Sequence, residues 1–187
     1  LFKPYKNKNK RLVVRGGAAL PSKSFPFFIH LAKELPEFKC ILAVVNCHNN
    51  DDYINELKRL ATSISSPIEI RTNVPRESYA ELVSEAGIYL STVDKKLMNV
   101  GMPISISEAM ATGCYIVASN YESMKRYIGE SGKTYNDMNE AKKIIKDTKL
   151  WSDHQWSKAW KNSVERSFLN HSDEIILRPM FFDWIKF

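Results

Sequence analysis

The sequence predicts an α/β fold, a doubly wound, Rossmann-like parallel sheet of about six strands. Three observations predict it. A short apolar strand, a glycine-bearing turn and a helix follow one another over residues 11–35, as in the first unit of a dinucleotide-type fold. Phe38-Lys-Cys-Ile-Leu-Ala-Val-Val45 is nearly continuous in apolar residues, as a strand covered on both faces must be. Further on, a loop, a helix and a strand run without interruption through Asn99–Asn120.

At 187 residues the chain suits one domain with a sizeable core, and its hydrophobic (44%) and charged (26%) fractions are those of a water-soluble globular protein. It begins at Leu1 without an initiator Met, which suggests a fragment of a longer chain. Lys3–Lys10 is basic and without periodicity, and reads as a linker or exposed arm over 1–10. Arg11-Leu-Val-Val-Arg15 is the first strand, Gly16–Ser24 the turn, and about 25–35 the first helix.

The second strand ends in Asn46–Asp52, a turn rich in capping residues, and Tyr53–Ile64 carries the helical stripe Ile54, Leu57, Leu60, Ala61 and Ile64. His48, in that turn, has no partner at metal-ligand spacing and reads as a surface histidine. Ser65-Ser-Pro67 breaks the helix before a third strand, Ile68–Arg71. Thr72–Ala86 supplies a cap and a helix with Pro75 near its start, and Gly87–Ser91 the fourth strand.

Pro103 suits a first helical turn and Gly113 a helix stop, so a helix spans about 103–112, followed by a buried strand at Cys114–Ala118. A short helix within 120–128, a sixth strand ending near Tyr135, an amphipathic helix over 137–146 and a longer aromatic one over 152–168 complete the domain. The apolar tail after Ile175 needs cover, so residues 151–187 divide from the 11–150 domain as helices and tail that could pack on a missing partner domain.

Chemistry concentrates where the strands end. Gly101 permits close backbone approach, and the helix behind it presents free N–H groups and a positive dipole end, which makes the loop a candidate phosphate site. Glu108 lies among Ala109, Met110 and Ala111, where a carboxylate needs a partner; from spacing alone it reads as a surface glutamate on a helix edge. Cys40, Cys47 and Cys114 show neither a disulfide framework nor metal spacing, which favours a reducing compartment, and no apolar run approaches a membrane span. The Asn170-His-Ser172 triplet matches a glycosylation sequon, a pattern common by chance.

G-M-P-I-S-I-S-E-A-M-A-T-G-C-Y-I-V-A-S, residues 101–119, resembles the signature of the large retaining glycosyltransferase family with the GT-B fold, the family-4 enzymes similar to glycogen synthase: E-G-x-P-x-x-x-x-E-A-M-A-x-G-x-P-V-I-A-S. The resemblance implies that Glu108 holds the donor ribose hydroxyls and that the loop formed by Gly101, Met102, Pro103, Ile104 and Ser105 offers backbone N–H groups, from its residues other than the proline, to the diphosphate. The family's first glutamate, which contacts the transferred sugar, is Val100 here. G-G-A-A-L-P-S-K-S resembles the family's V-G-R-L-x-P-E-K-G loop, with the Gly16-Gly17 pair at its glycine, Lys23 on its lysine and no counterpart to its arginine. Lys23 and Glu108 are thus the catalytic candidates. One of two cations facing the leaving diphosphate is absent unless Arg15, Lys95 or Lys96 replaces it. V-P-R-E-S-Y-A-E-L-V-S-E-A-G-I-Y-L-S resembles the segment whose preceding turn borders the base, which nominates Thr72, Asn73 and Val74.

The resemblance implies the donor-binding, C-terminal half of an enzyme that transfers a sugar from a nucleoside-diphosphate-sugar donor to a glycan or lipid-linked acceptor, with no cofactor and no metal. The N-terminal half is missing, and the isolated domain should be inactive. A cytoplasmic, membrane-peripheral location fits, and the net charge of +6 suits either a diphosphate or an anionic membrane surface. Two alternatives stand beside it. A degenerate domain that binds nucleotide or glycan without catalysis is motivated by Val100 and Gly17. A basic nucleic-acid-associated domain is motivated by charge alone, but the aromatics are not interleaved with the basic residues, so no nucleic acid is expected.

Overall fold

The computed structural model describes residues 1–4, 7–45, 50–94, 96–97, 104–121 and 124–171. Six strands form one parallel sheet in the order β3-β2-β1-β4-β5-β6: β1 (Asn9–Gly17), β2 (Lys39–Val44), β3 (Glu69–Arg71), β4 (Ala86–Ser91), β5 (Tyr115–Ser119) and β6 (Gly132–Tyr135). Strand order reverses between β1 and β4, and such a switch point opens a crevice at the carboxyl ends of the strands.

The central strands β1, β2, β4 and β5 are buried on both faces because their alternate residues serve two cores. Val13, Leu42, Val44, Ile88, Leu90 and Val117 pack under α1 (Phe25–Lys33), α2 (Asp51–Ser63) and α6 (Met138–Asp147). Val14, Ile41, Ala43, Tyr89, Ile116 and Ala118 pack under α3 (Arg76–Glu85), α4 (Ile104–Thr112) and α5 (Met124–Ile128). Helix α7 (Asp153–His171) closes the end of the sheet: Trp156 enters the first core, and Arg166 Nε donates to Tyr127 O at 2.8 Å.

The basic arm expected over 1–10 stops short. Asn9 and Lys10 already belong to β1, and Lys8 is buried, its Nζ donating to Ser84 O (2.8 Å) and Ala86 O (2.9 Å). The carbonyls left unpaired at the C-terminus of α3 attract this lysine inward, while burial pushes its ammonium pKa down. Gly87 opposes the same segment: a Cβ there would lie 2.7 Å from Asn9 O. Cys40 and Cys114 are buried and unbridged; Cys47, His48 and the tail 172–187 fall outside the described residues. Among the described residues no helix is long and apolar enough to cross a membrane.

Candidate functional site

The carboxyl edge of the sheet is built by three turns. β1 ends at Gly16-Gly17, level with Ala43 and Val44 of β2, and its turn runs to a short 3-10 helix at Pro21–Lys23. β4 runs out through Thr92 to Asp94. The β3 turn carries Thr72, Asn73 and Val74 into α3.

The first two turns are tied together. Thr92 Oγ1 donates to Lys23 O (2.5 Å), and Asp94 N donates to Ser22 O (2.9 Å). Beneath them lies Arg15, 2% exposed: its Nε donates to Thr92 Oγ1 (3.1 Å), Nη2 to Thr92 O (3.0 Å), and Nη1 to Gly16 O and to Tyr89 Oη (3.2 Å). Lys23 is half-buried, and its ammonium pKa is pushed down first by that burial and then by the Arg15 charge.

Gly16 is glycine for a reason internal to the fold. A Cβ at this position would sit 2.2 Å from Tyr79 Cε2, inside any tolerable contact. Gly17 has φ +157°, a backbone angle that side chains resist, so an arginine placed there would be strained.

From Gly16 the network continues across the sheet. Tyr89 Oη donates to Gly16 O (3.1 Å) and lies 3.3 Å from Tyr79 Oη, whose pKa is pushed well up by burial and by the Tyr89 hydroxyl. The negative charge of Glu108 acts on Tyr79 as well. Glu108 is 8% exposed, so the surface position expected from spacing does not hold: Arg76, at the start of α3, forms an ion pair with its Oε1. The Arg76 guanidinium in turn lies 5.0 Å over the Phe2 ring.

Of the residues nominated by sequence, Gly16 and Lys23 are therefore joined through Arg15, Thr92 and Tyr89, with Gly17 beside the Arg15 guanidinium, while Glu108 pairs with Arg76 and reaches Tyr79 by its charge alone. Thr72, half-buried, and Asn73, exposed at φ +51°, lie on the same edge beyond β2. Val74 is buried with Tyr79 in the second core, and its N–H donates to Val44 O (3.1 Å). Ile104 and Ser105 open α4, with Ile104 exposed. Val100, Gly101, Met102 and Pro103 lie outside the described residues, as does Lys95.

Sequence reasoning missed Arg76, Tyr79, Tyr89 and Thr92. A partial signal existed, since a buried glutamate demands a cation and a tyrosine in a two-sided strand demands a partner for its hydroxyl. A 330 Å³ cavity beside Thr92, lined also by Ser24, Phe27, Asp94, Ser119 and Tyr135, extends the edge past β4; larger cavities of 400 and 540 Å³ lie away from it, among helices. Among the described residues no three histidines, cysteines or carboxylates converge as a metal site. Lys23 and, beneath it, Arg15 put positive charge at this edge, and the shielded carboxylate of Glu108 has lone pairs that can accept from hydroxyls.

Known proteins resemble this chain in sequence and in fold. The chain is 32% identical over 126 residues to the GDP-Man:Man(3)GlcNAc(2)-PP-Dol alpha-1,2-mannosyltransferase of Xenopus laevis and 31% over 125 residues to that of Xenopus tropicalis. Each match covers 62% of this chain and 25% of the relative, so the chain spans only part of the length of these proteins. Among solved structures, a glycosyltransferase from Rickettsia africae ESF-5 superimposes with a TM-score of 0.78 at 16% identity, over 96% of this chain and 48% of that one. Anabaena HepE in complex with UDP and glucose gives 0.74 at 16% identity, over 97% and 49%. These likenesses establish the GT-B-type fold. The model of the family described as glycosyl transferases group 1 matches residues 9–148, from the first strand to the end of α6, and the chain belongs to that family.

Proposed function

We propose that this chain is the donor-binding domain of a retaining glycosyltransferase that moves a hexose from a nucleoside diphosphate to a glycan or lipid-linked acceptor. The observation that carries the reading is the joining of Lys23 to Arg15 through Thr92 at the carboxyl edge, together with the shielded Glu108, which pairs with Arg76 and acts by its charge on Tyr79. A departing nucleoside diphosphate gains negative charge in the transition state, and fixed cations aimed at it lower the barrier without a metal or other cofactor. In this reading Lys23 meets the phosphates and Glu108 accepts from the ribose hydroxyls. Thr72, Asn73 and Val74 border the base, and the backbone of 101–105 contributes N–H groups to the diphosphate.

The Xenopus relatives are named for GDP-mannose and a diphosphodolichol-linked glycan, which favours GDP-mannose as donor and a lipid-linked acceptor at a membrane surface. The net charge of +6 supports peripheral attachment to anionic lipid from the cytoplasmic side. The acceptor and half of the cleft would come from an N-terminal domain, without which this domain binds donor and transfers nothing. Val100, where the family has a glutamate, and the turn over 16–24, which lacks the family's arginine, favour a second reading: nucleotide binding without catalysis.

Incubation of the full-length protein with labelled GDP-mannose, UDP-glucose and UDP-N-acetylglucosamine and a lipid-linked oligosaccharide separates the two. Transfer with retention of the anomeric configuration supports the first reading; binding of the free diphosphate without turnover supports the second; neither binding nor turnover overturns both.

A further inference from the structure

Arg15 is a buried cation. Among the described residues no carboxylate forms an ion pair with it. Its hydrogen-bond partners are two carbonyls and two hydroxyls, and the Phe25 ring lies 5.4 Å from its guanidinium carbon. Asp94, the carboxylate carried by the adjoining loop, is turned to its own turn, accepting from Lys96 N at 2.9 Å. A desolvated guanidinium without a counter-charge is strongly disfavoured unless something else compensates it.

The surroundings add to the positive potential. Lys23 stands close enough for the Arg15 charge to act on it, and α1 begins at Phe25, against the guanidinium, with its positive dipole end at the same turn. Two side-chain cations and a helix end thus converge beneath Gly16-Gly17. A bound anion is the group that answers them.

We propose, resting on the donor-binding reading above, that Arg15 is a positioning residue for the leaving diphosphate: its charge acts on the phosphates from inside the fold, and through Thr92 it fixes the turn that carries Lys23. Thr92 Oγ1 accepts from Arg15 Nε and donates to Lys23 O, so a single hydroxyl relays the position of the buried guanidinium to the loop cation. The turn over 16–24, which carries no arginine, needs none if the second charge comes from Arg15, just before Gly16-Gly17 and from below. At 2% exposure Arg15 does not touch the ligand; it acts through the field and through the loop.

The test is calorimetric titration of the full-length protein and its Arg15→Met, Arg15→Gln, Arg15→Lys and Thr92→Val variants with UDP and GDP, and with uridine and guanosine as uncharged probes. Removing a unit charge acting over ~10 Å at an effective dielectric of ~20 weakens diphosphate binding roughly tenfold in Arg15→Met and Arg15→Gln. Nucleoside binding stays unchanged in both, Arg15→Lys recovers most of the loss, and Thr92→Val shows a smaller loss. Because Arg15 is buried, its contribution persists at high salt, whereas that of Lys23 shrinks.

Unchanged diphosphate affinity in Arg15→Met and Arg15→Gln overturns the inference and leaves the donor-binding reading standing. Equal loss of nucleosides and diphosphates in Arg15→Gln also overturns it, because the residue is then merely structural. Failure of the unmodified protein to bind any diphosphate overturns the donor-binding reading and this inference with it.

Discussion

Replacing Gly16 by alanine tests how tightly the site is built. The new Cβ would lie 2.2 Å from Tyr79 Cε2 and 2.7 Å from both Cζ and Oη, whereas carbon atoms at rest stand about 3.5–4.0 Å apart. The ring would have to retreat by roughly 1 Å, but Tyr79 is 2% exposed, held by α3 and by the Tyr89 hydroxyl at 3.3 Å. Overpacking of this kind costs about 1–3 kcal/mol, and a weakened tyrosine hydrogen bond about 1 kcal/mol more. Reduced freedom of the unfolded chain returns about 0.5–1 kcal/mol. The expected net loss is about 2 kcal/mol, a fall in Tm of roughly 4–8 °C for a domain of this size. Thermal and urea unfolding of Gly16→Ala measure it directly. The same substitution in a Tyr79→Leu background, where the ring is gone, should cost under about 0.5 kcal/mol. Equal costs in the two backgrounds would refute the reasoning, because the penalty would then not come from the ring.

Other expectations follow from the same contacts. Glu108→Gln keeps the shape but loses the charge that Arg76 pairs with; since that arginine is 56% exposed, stability should fall by less than about 1 kcal/mol while nucleoside affinity, read by calorimetry, falls much further. Burial pushes the Cys40 thiol from 9.0 to about 12, so the folded chain keeps a proton that the unfolded chain loses as pH rises above 9. Stability contributed by this thiol is full below pH 9 and declines from there up to about pH 12; by pH 10 the loss is about 1 kcal/mol, and urea unfolding of Cys40→Ala should show a shallower alkaline decline. Asp137 caps α6, accepting from Glu140 N at 2.9 Å, while Glu140 Oε2 accepts from Asn136 N at 2.7 Å. Asp137→Ala should cost about 1 kcal/mol in thermal unfolding.

Local pattern carried most of the fold. The apolar runs that end at Arg15, Val44, Ser91 and Ser119 are strands because only a two-sided sheet buries such runs, and Gly16-Gly17 marks the turn where backbone and neighbouring ring leave no room for a side chain. The parallel, doubly wound sheet followed from the alternation of strands and helices. What escaped were contacts between segments distant in sequence. Lys8 reads as part of a basic arm, yet the open carbonyls of Ser84 and Ala86 draw it inside, and nothing in residues 3–10 signals them. Glu108 reads as exposed because its cation, Arg76, lies on another helix. Arg15 ends an apolar strand and was legible as a spare cation; that it is buried and joined to Lys23 through Thr92 depends on the β4 loop, 77 residues away.

The central claim is that the carboxyl edge around Lys23 and Glu108 holds a nucleoside diphosphate. Calorimetric titration of the protein with UDP, GDP and ADP, repeated with Lys23→Ala and Glu108→Ala, tests it most directly. The account predicts selective binding of one of the three, weakened by Lys23→Ala through the phosphates and by Glu108→Ala through the ribose, so that Glu108→Ala alone also weakens the free nucleoside. Binding that is indifferent to both substitutions, or no binding by a folded protein, would contradict it.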